Sequence, residues 1–197
     1  MKKIIGVMFF SLLLLLSACS DKLPIETNMK EKVADFSYTN QDNETVSRDD
    51  LAGQWWIADF IFTNCETVCI PMTTNMSALQ DDLAEIDIPM QFISFSVDPD
   101  YDNPDVLQQY ADDYNADLTN WDFLTGYDFE TIRKLSIKSF RAPLKAPAYG
   151  SDQITHDLRF FLVDPEGNIV KGYEGVDRDT MESVLEDIQT LDDKGYL

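Results

Sequence analysis

Basic side chains are scarce in this chain: Lys and Arg number 15 against 36 Asp and Glu, a formal charge of −21. That balance excludes nucleic acid and bare anionic lipid as partners, because both repel an acidic surface. It favours cations near the surface, metal ions included, although solubility outside the cell accounts for most of it. Long apolar runs are scarce too. Ile4 to Leu16 is the one extended run, too short for a transmembrane helix, and no other stretch is long enough to span a bilayer. There is no internal repeat and no low-complexity tract. Cysteine is down to three residues and histidine to one.

Lys2 and Lys3 precede the apolar run, and Leu16-Ser17-Ala18-Cys19 follows it. This is the layout of an export signal, and the last four residues resemble a bacterial lipobox, whose cysteine is lipidated and becomes the new N-terminus. An uncleaved membrane anchor is the competing reading. The division expected is a signal peptide over 1–18, a flexible tether over 19–33 and a folded domain over 34–193. That domain lies outside the cytoplasm and is held to the membrane by lipid on Cys19. With Cys19 so used, Cys65 and Cys69 are left as a pair. A bridge closing so short a loop removes little chain entropy, which argues against a structural staple.

Trp55 to Phe62 reads as a strand buried on both faces. Thr63 and Asn64 supply turn and N-cap chemistry, which predicts a helix whose first turn carries both cysteines on one face. The helix dipole there would lower a thiol pKa. Such a pair either closes into a disulfide or clamps a soft metal ion. Met72, Met76, Leu79, Leu83 and Ile86 then form an amphipathic stripe. Met72 and Met76 are read as core packing in preference to thioether ligands.

Further on, Gln91–Val97 is a strand, Asn103-Pro104 opens a helix to about Tyr114, and Trp121–Leu124 is a short strand. A helix runs from about Asp128 to Lys138. A long loop over 139–155 ends at His156, and Leu158–Val163 and Ile169–Tyr173 form a hairpin around Asp164-Pro165-Glu166-Gly167-Asn168. A last helix covers about Asp179–Leu191. With short strands at Phe36–Thr39 and Thr45–Ser47 as an N-terminal hairpin extension, the pattern gives an α/β domain. Its central mixed sheet is flanked by helices in the thioredoxin-like manner.

His156 is the one imidazole available, and in such a sheet its loop lies beside the cysteine helix. Two thiolates and an imidazole suit Cu(I), and the imidazole also suits Cu(II). Zinc accepts the same ligands, but a three-ligand zinc site usually serves hydrolysis, and no general base is evident. Asp98, at a strand end, is either a carboxylate close to the metal and its ligands or a turn residue before Pro99. Asp102 reads as turn and cap chemistry. Lys138, Arg141 and Lys145 either meet an acidic partner or balance local charge, and the second reading is preferred.

Phe62-Thr63-Asn64-Cys65-Glu66-Thr67-Val68-Cys69, the segment Ser96 to Pro104, Thr155-His156-Asp157 and Phe161 to Gly167 together resemble the SCO/SenC family, over about residues 36–191. The resemblance implies a thioredoxin-like copper protein that assembles cytochrome c oxidase, with copper held by Cys65, Cys69 and His156. It implies a metallochaperone for the dinuclear CuA centre of the oxidase's copper-bearing subunit, rather than an enzyme. The alternative is a thiol–disulfide reductase that uses Cys65 and Cys69 on that subunit's cysteines. One departure is Ile70, where the family often has proline; Pro71 comes next. Plain thioredoxin chemistry uses C-x-x-C, one residue shorter than here. A peroxiredoxin would need Pro and Thr where Ala58 and Phe62 stand.

Overall fold

The structure is a computed structural model that describes residues 22–65 and 68–197. The leader and Cys19 lie outside the described residues, as do Glu66 and Thr67. Among the described residues no helix is long and apolar enough to cross a membrane.

In chain order the elements are β1 (Ser37–Thr39), β2 (Thr45–Ser47), a 3-10 turn (Arg48–Leu51), β3 (Trp56–Ile61) and α1 (Cys69–Glu85). There follow β4 (Gln91–Ser96), α2 (Pro104–Asp113), β5 (Trp121–Leu124) and α3 (Phe129–Phe140). The chain closes with β6 (Arg159–Val163), β7 (Ile169–Glu174) and α4 (Arg178–Asp193). The main sheet has the order β5-β4-β3-β6-β7. β3, β4 and β5 run parallel, whereas β6 pairs antiparallel with β3 and β7 with β6. β1 and β2 form the expected hairpin, docked on the strand β5 end through Thr39 and Thr125.

Every residue of β3 is buried, as an apolar run broken only by Asp59 requires of a strand covered on both sides. Its side chains alternate between two cores. Ile57 and Ile61 join Met72, Met76, Leu79 and Leu83 of α1, with Val184 and Ile188 of α4. Trp56, Ala58, Phe60 and Phe62 join Phe36, Phe95, Phe140 and Phe161 on the other face. Met72 and Met76 are completely enclosed, so they pack. The stripe stops short of expectation: Ile86 is the C-cap of α1 and 41% exposed. The helix starts are as read for α2, where Asn103 Oδ1 accepts from the Val106 N–H at 3.2 Å, and for α3, where Asp128 Oδ1 accepts from the Thr131 N–H at 2.7 Å.

The flexible tether expected up to residue 33 is not what residues 25–33 do. Ile25 and Val33 are buried, and the N–H groups of Asn28 and Val33 donate to the carbonyls of Val170 and Gly167. The stretch is polar and aperiodic, and it is ordered by β7, a strand far away in sequence. No local pattern announces that.

Because β6 is antiparallel to β3, the carboxyl end of β3 and the amino end of β6 lie at the same edge of the sheet. The chain leaving β3 towards the cysteines and the loop arriving at β6 with His156 therefore meet there.

Candidate metal centre

The first helical residue of α1 is Cys69, and its N-cap is Val68, which makes no side-chain cap. The expectation that Thr63 and Asn64 cap a helix with both cysteines in its first turn is thus corrected. Cys65 sits in the loop before the helix. The Cys65 N–H donates to the Phe62 carbonyl at 3.3 Å, and the Cys69 N–H points at the Cys65 sulfur at 3.4 Å. Sulfur takes the place that a capping oxygen would hold, and this brings the two side chains together even though they do not share a helix face. Thr63 Oγ1 spends its capping capacity elsewhere.

That destination is Asp102. Its Oδ1 accepts from Thr63 Oγ1 at 2.5 Å, its Oδ2 from Ser96 Oγ at 2.6 Å, and the Thr63 N–H lies 3.3 Å from both oxygens. Fully buried, this carboxyl ties the start of the cysteine loop to the end of β4. Burial pushes its pKa up against the hydrogen bonds from Ser96 and Thr63. The reading of Asp102 as turn chemistry is therefore too small: it positions the loop that carries Cys65. Asp102→Ala would strand the Thr63 and Ser96 donors, and at about 1–3 kcal/mol per stranded group it should destabilise the fold by about 3 kcal/mol. Urea unfolding checks this, and a loss below about 1 kcal/mol would contradict the role.

His156 is set from the other side. The loop from 141 to 158 is pinched by the Lys145–Thr155 bridge. Beyond it the Asp157 carboxylate accepts from the Arg159 N–H, Nε and Nη2 at 2.7–3.0 Å, which anchors the turn into β6. His156 Nδ1 is 2.7 Å from the Asp157 carbonyl oxygen. A carbonyl only accepts, so the proton is on Nδ1 and the lone pair is on Nε2. Nε2 lies 3.4 Å from Cys69 Sγ, and the Phe62 ring stands edge-on to the imidazole at 5.7 Å. Asn64 fastens the two loops together: its Nδ2 donates to Asp152 at 3.0 Å, and its carbonyl accepts from Gln153 Nε2 at 3.1 Å.

Cys65 Sγ, Cys69 Sγ and a ring nitrogen of His156 all lie within 4.8 Å of one another, and all three residues are buried. Both cysteines are thiols. Contrary to the helix-dipole expectation, the Cys69 thiol is pushed up, first by its hydrogen bond with Cys65 and then by burial. It is held as S–H until something displaces the proton. Two buried sulfurs and an imidazole lone pair are soft donors, fitted to a thiophilic cation of low coordination number.

Asp98 is outside this group. It is half-buried in the turn after β4, where its carbonyl accepts from the Tyr101 and Asp102 N–H groups. Burial, then Asp100 and Asp152, raise its pKa. It belongs to an acidic rim. Asp59, in the middle of β3, escaped the sequence reading altogether. It is fully enclosed, and burial lifts its carboxyl to about 7 against a hydrogen bond from Ser94. The available signal was a lone carboxylate inside a strand otherwise apolar on both faces.

A mixed sheet flanked by helices, with a C-x-x-x-C pair and an imidazole converging at the end of its central strand, defines a thioredoxin-like dithiol–imidazole protein. The SCO1/SenC family profile matches residues 25–192, and this chain belongs to that family. A SCO1 protein homolog of Bacillus subtilis is 42% identical over 96% of this chain and 97% of its own length. A SCO1/SenC family lipoprotein of Bacillus anthracis superposes with a TM-score of 0.78 at 40% identity, covering 82% of this chain and 95% of that one. BsSco, described as a Sco family cytochrome c oxidase assembly protein with a disulfide switch, gives 0.77 at 42% identity over 84% and 96%. ScoI of Bradyrhizobium japonicum with copper bound gives 0.68 at 25% identity over 84% and 99%.

Proposed function

We propose that this chain binds copper through Cys65, Cys69 and His156 and acts as a metallochaperone in assembly of the CuA centre of cytochrome c oxidase. The observation that carries the reading is the convergence of two thiols and an imidazole, with Nδ1 occupied by the Asp157 carbonyl so that Nε2 is left for the metal. The copper bound by the Bradyrhizobium relative and the oxidase assembly role of BsSco support it. Copper here is cargo, and no turnover is required. Cys19, in its lipobox-like setting, anchors the domain to the outer face of the cell membrane, a reading supported by the Bacillus anthracis relative being a lipoprotein. Asp98 contributes negative potential at the rim. The partner is the copper-bearing oxidase subunit.

A second reading, reduction of that subunit's cysteines, is favoured by the proximity of the two thiols and by the disulfide switch of BsSco. Copper and a disulfide compete for the same sulfurs, since a bridged sulfur has no thiolate to offer. The reduced chain should take up one copper ion, and the chain oxidised to a Cys65–Cys69 disulfide should lose the tight site. Side-by-side competition titrations check this. Equal affinity in the two states would overturn the ligand assignment.

A further inference from the structure

Local charge balance accounts for Arg141 but not for Lys138 and Lys145. Lys and Arg number 15 in the chain; Arg133, Lys134, Lys138, Arg141 and Lys145 crowd into one short stretch, and no Asp or Glu stands between 131 and 151. Arg133 pairs with Glu130 at 3.1 Å and Arg141 with Glu31 at 3.0 Å. Among the described residues no carboxylate lies within ion-pair distance of Lys134, Lys138 or Lys145, and all three are exposed. Lys134 and Lys138 stand four apart on α3, an arrangement whose repulsion weakens a helix when nothing negative lies over it. A chain with 36 Asp and Glu leaves these three cations unmatched.

They border an apolar groove. Ile137 of α3, 41% exposed, lines it together with Pro143 and Leu144, and Arg133, Arg141 and Lys145 line it as well. The backbone adds a second observation. Lys145 exchanges both backbone hydrogen bonds with Thr155, at 2.9 and 3.2 Å. In an antiparallel pair the adjoining residue then turns its N–H and C=O to the opposite side. Leu144 is that residue, and among the described residues neither group has a backbone partner, although Leu144 is only 2% exposed. Buried backbone groups without partners are rare, and a free strand edge is where an extended peptide adds.

We propose that this groove is the docking site for an extended, acidic segment of a partner protein. An apolar side chain of the segment seats on Ile137, Pro143 and Leu144. Its carboxylates pair with Lys134, Lys138 and Lys145, and its backbone completes the hydrogen bonds of Leu144. A lipid surface fits less well: it offers no strand to Leu144, and the rest of the chain is more acidic than the whole. Thr155 directly precedes His156, so the groove adjoins the metal centre, but its occupation requires no copper.

An amide NMR titration of the reduced, metal-free full chain tests this, with a capped hexapeptide carrying two glutamates on each side of Val-Leu. In the parent, shift changes should be confined to residues 133–146, with slowed hydrogen exchange at Leu144. The triple variant Lys134→Gln, Lys138→Gln, Lys145→Gln should bind at least about tenfold more weakly, and high salt should weaken the parent by a similar factor. Lys22→Gln, Lys30→Gln, Lys194→Gln changes the charge equally elsewhere and should bind as the parent does. No localised shifts up to millimolar peptide, or equal losses in the two triple variants, would overturn the proposal. Equal shifts with phosphatidylglycerol vesicles would overturn it in favour of lipid. Shifts at 133–146 that grow with protein concentration alone would overturn it in favour of a second copy.

Discussion

Cys69→Ser should remove tight copper binding, with a loss of affinity well above 100-fold, and Cys65→Ser should do the same. Losing a group that only supports a ligand already weakens metal sites by about 10–100-fold, and here a ligand itself is lost from a set of three. A serine hydroxyl is a hard, un-ionised donor at neutral pH and does not replace a thiolate for a soft cation. His156→Ala should weaken binding less for Cu(I), which two thiolates hold well, than for Cu(II), which relies more on nitrogen. Serine is close in size to cysteine and both positions lie at or just before the start of α1 rather than in its middle, so the serine variants should fold and the loss should be visible as affinity rather than as misfolding. Competition against a chelator of known affinity measures all three. A Cys65→Ser protein that binds Cu(I) as tightly as its parent would remove Cys65 from the ligand set.

Asp59→Asn should stabilise the metal-free fold at and above neutral pH and flatten its dependence on pH. The folded carboxyl ionises at about 7, against an ordinary value of 3.8. Between those two values the native state holds a proton that the unfolded chain has released, so stability falls as pH rises through that window and is fully present only below it. At about 1.4 kcal/mol per tenfold change in proton affinity, the full displacement corresponds to on the order of 4 kcal/mol. Asn keeps the acceptor for Ser94 and carries no charge, so the variant escapes this loss. Urea unfolding at a series of pH values should show parent and variant close together near pH 4 and separated by a few kcal/mol near pH 8. A constant separation across that range would contradict the assignment of the loss to ionisation.

The three residues that converge were legible in the sequence, but the route to their convergence was not. The C-x-x-x-C spacing and the lone histidine after a long loop identify Cys65, Cys69 and His156, and these are the residues that converge. The spacing also predicts a shared helix face, whereas the helix begins at Cys69. Thr63 is drawn off by Asp102, a residue 39 positions away that no local rule of capping includes. The sign of the effect on the Cys69 thiol was missed for a similar reason: burial and the neighbouring sulfur, both products of tertiary packing, outweigh the helix terminus. Strands β3, β4 and β6 announce themselves by apolar runs because both of their faces are covered. Residues 25–33 do not, because their order is borrowed from β7. Asp59 lay in plain view inside the strongest strand, yet its meaning depends on Ser94 across the sheet and on an orphaned oxygen.

The most direct test of the central claim is X-ray absorption at the copper edge on the reduced, Cu(I)-loaded chain. The account predicts two sulfur neighbours and one imidazole nitrogen, with the nitrogen contribution lost in His156→Ala and a sulfur lost in either serine variant. A first shell of oxygen and nitrogen alone, or a spectrum unchanged by Cys65→Ser and Cys69→Ser, would contradict it.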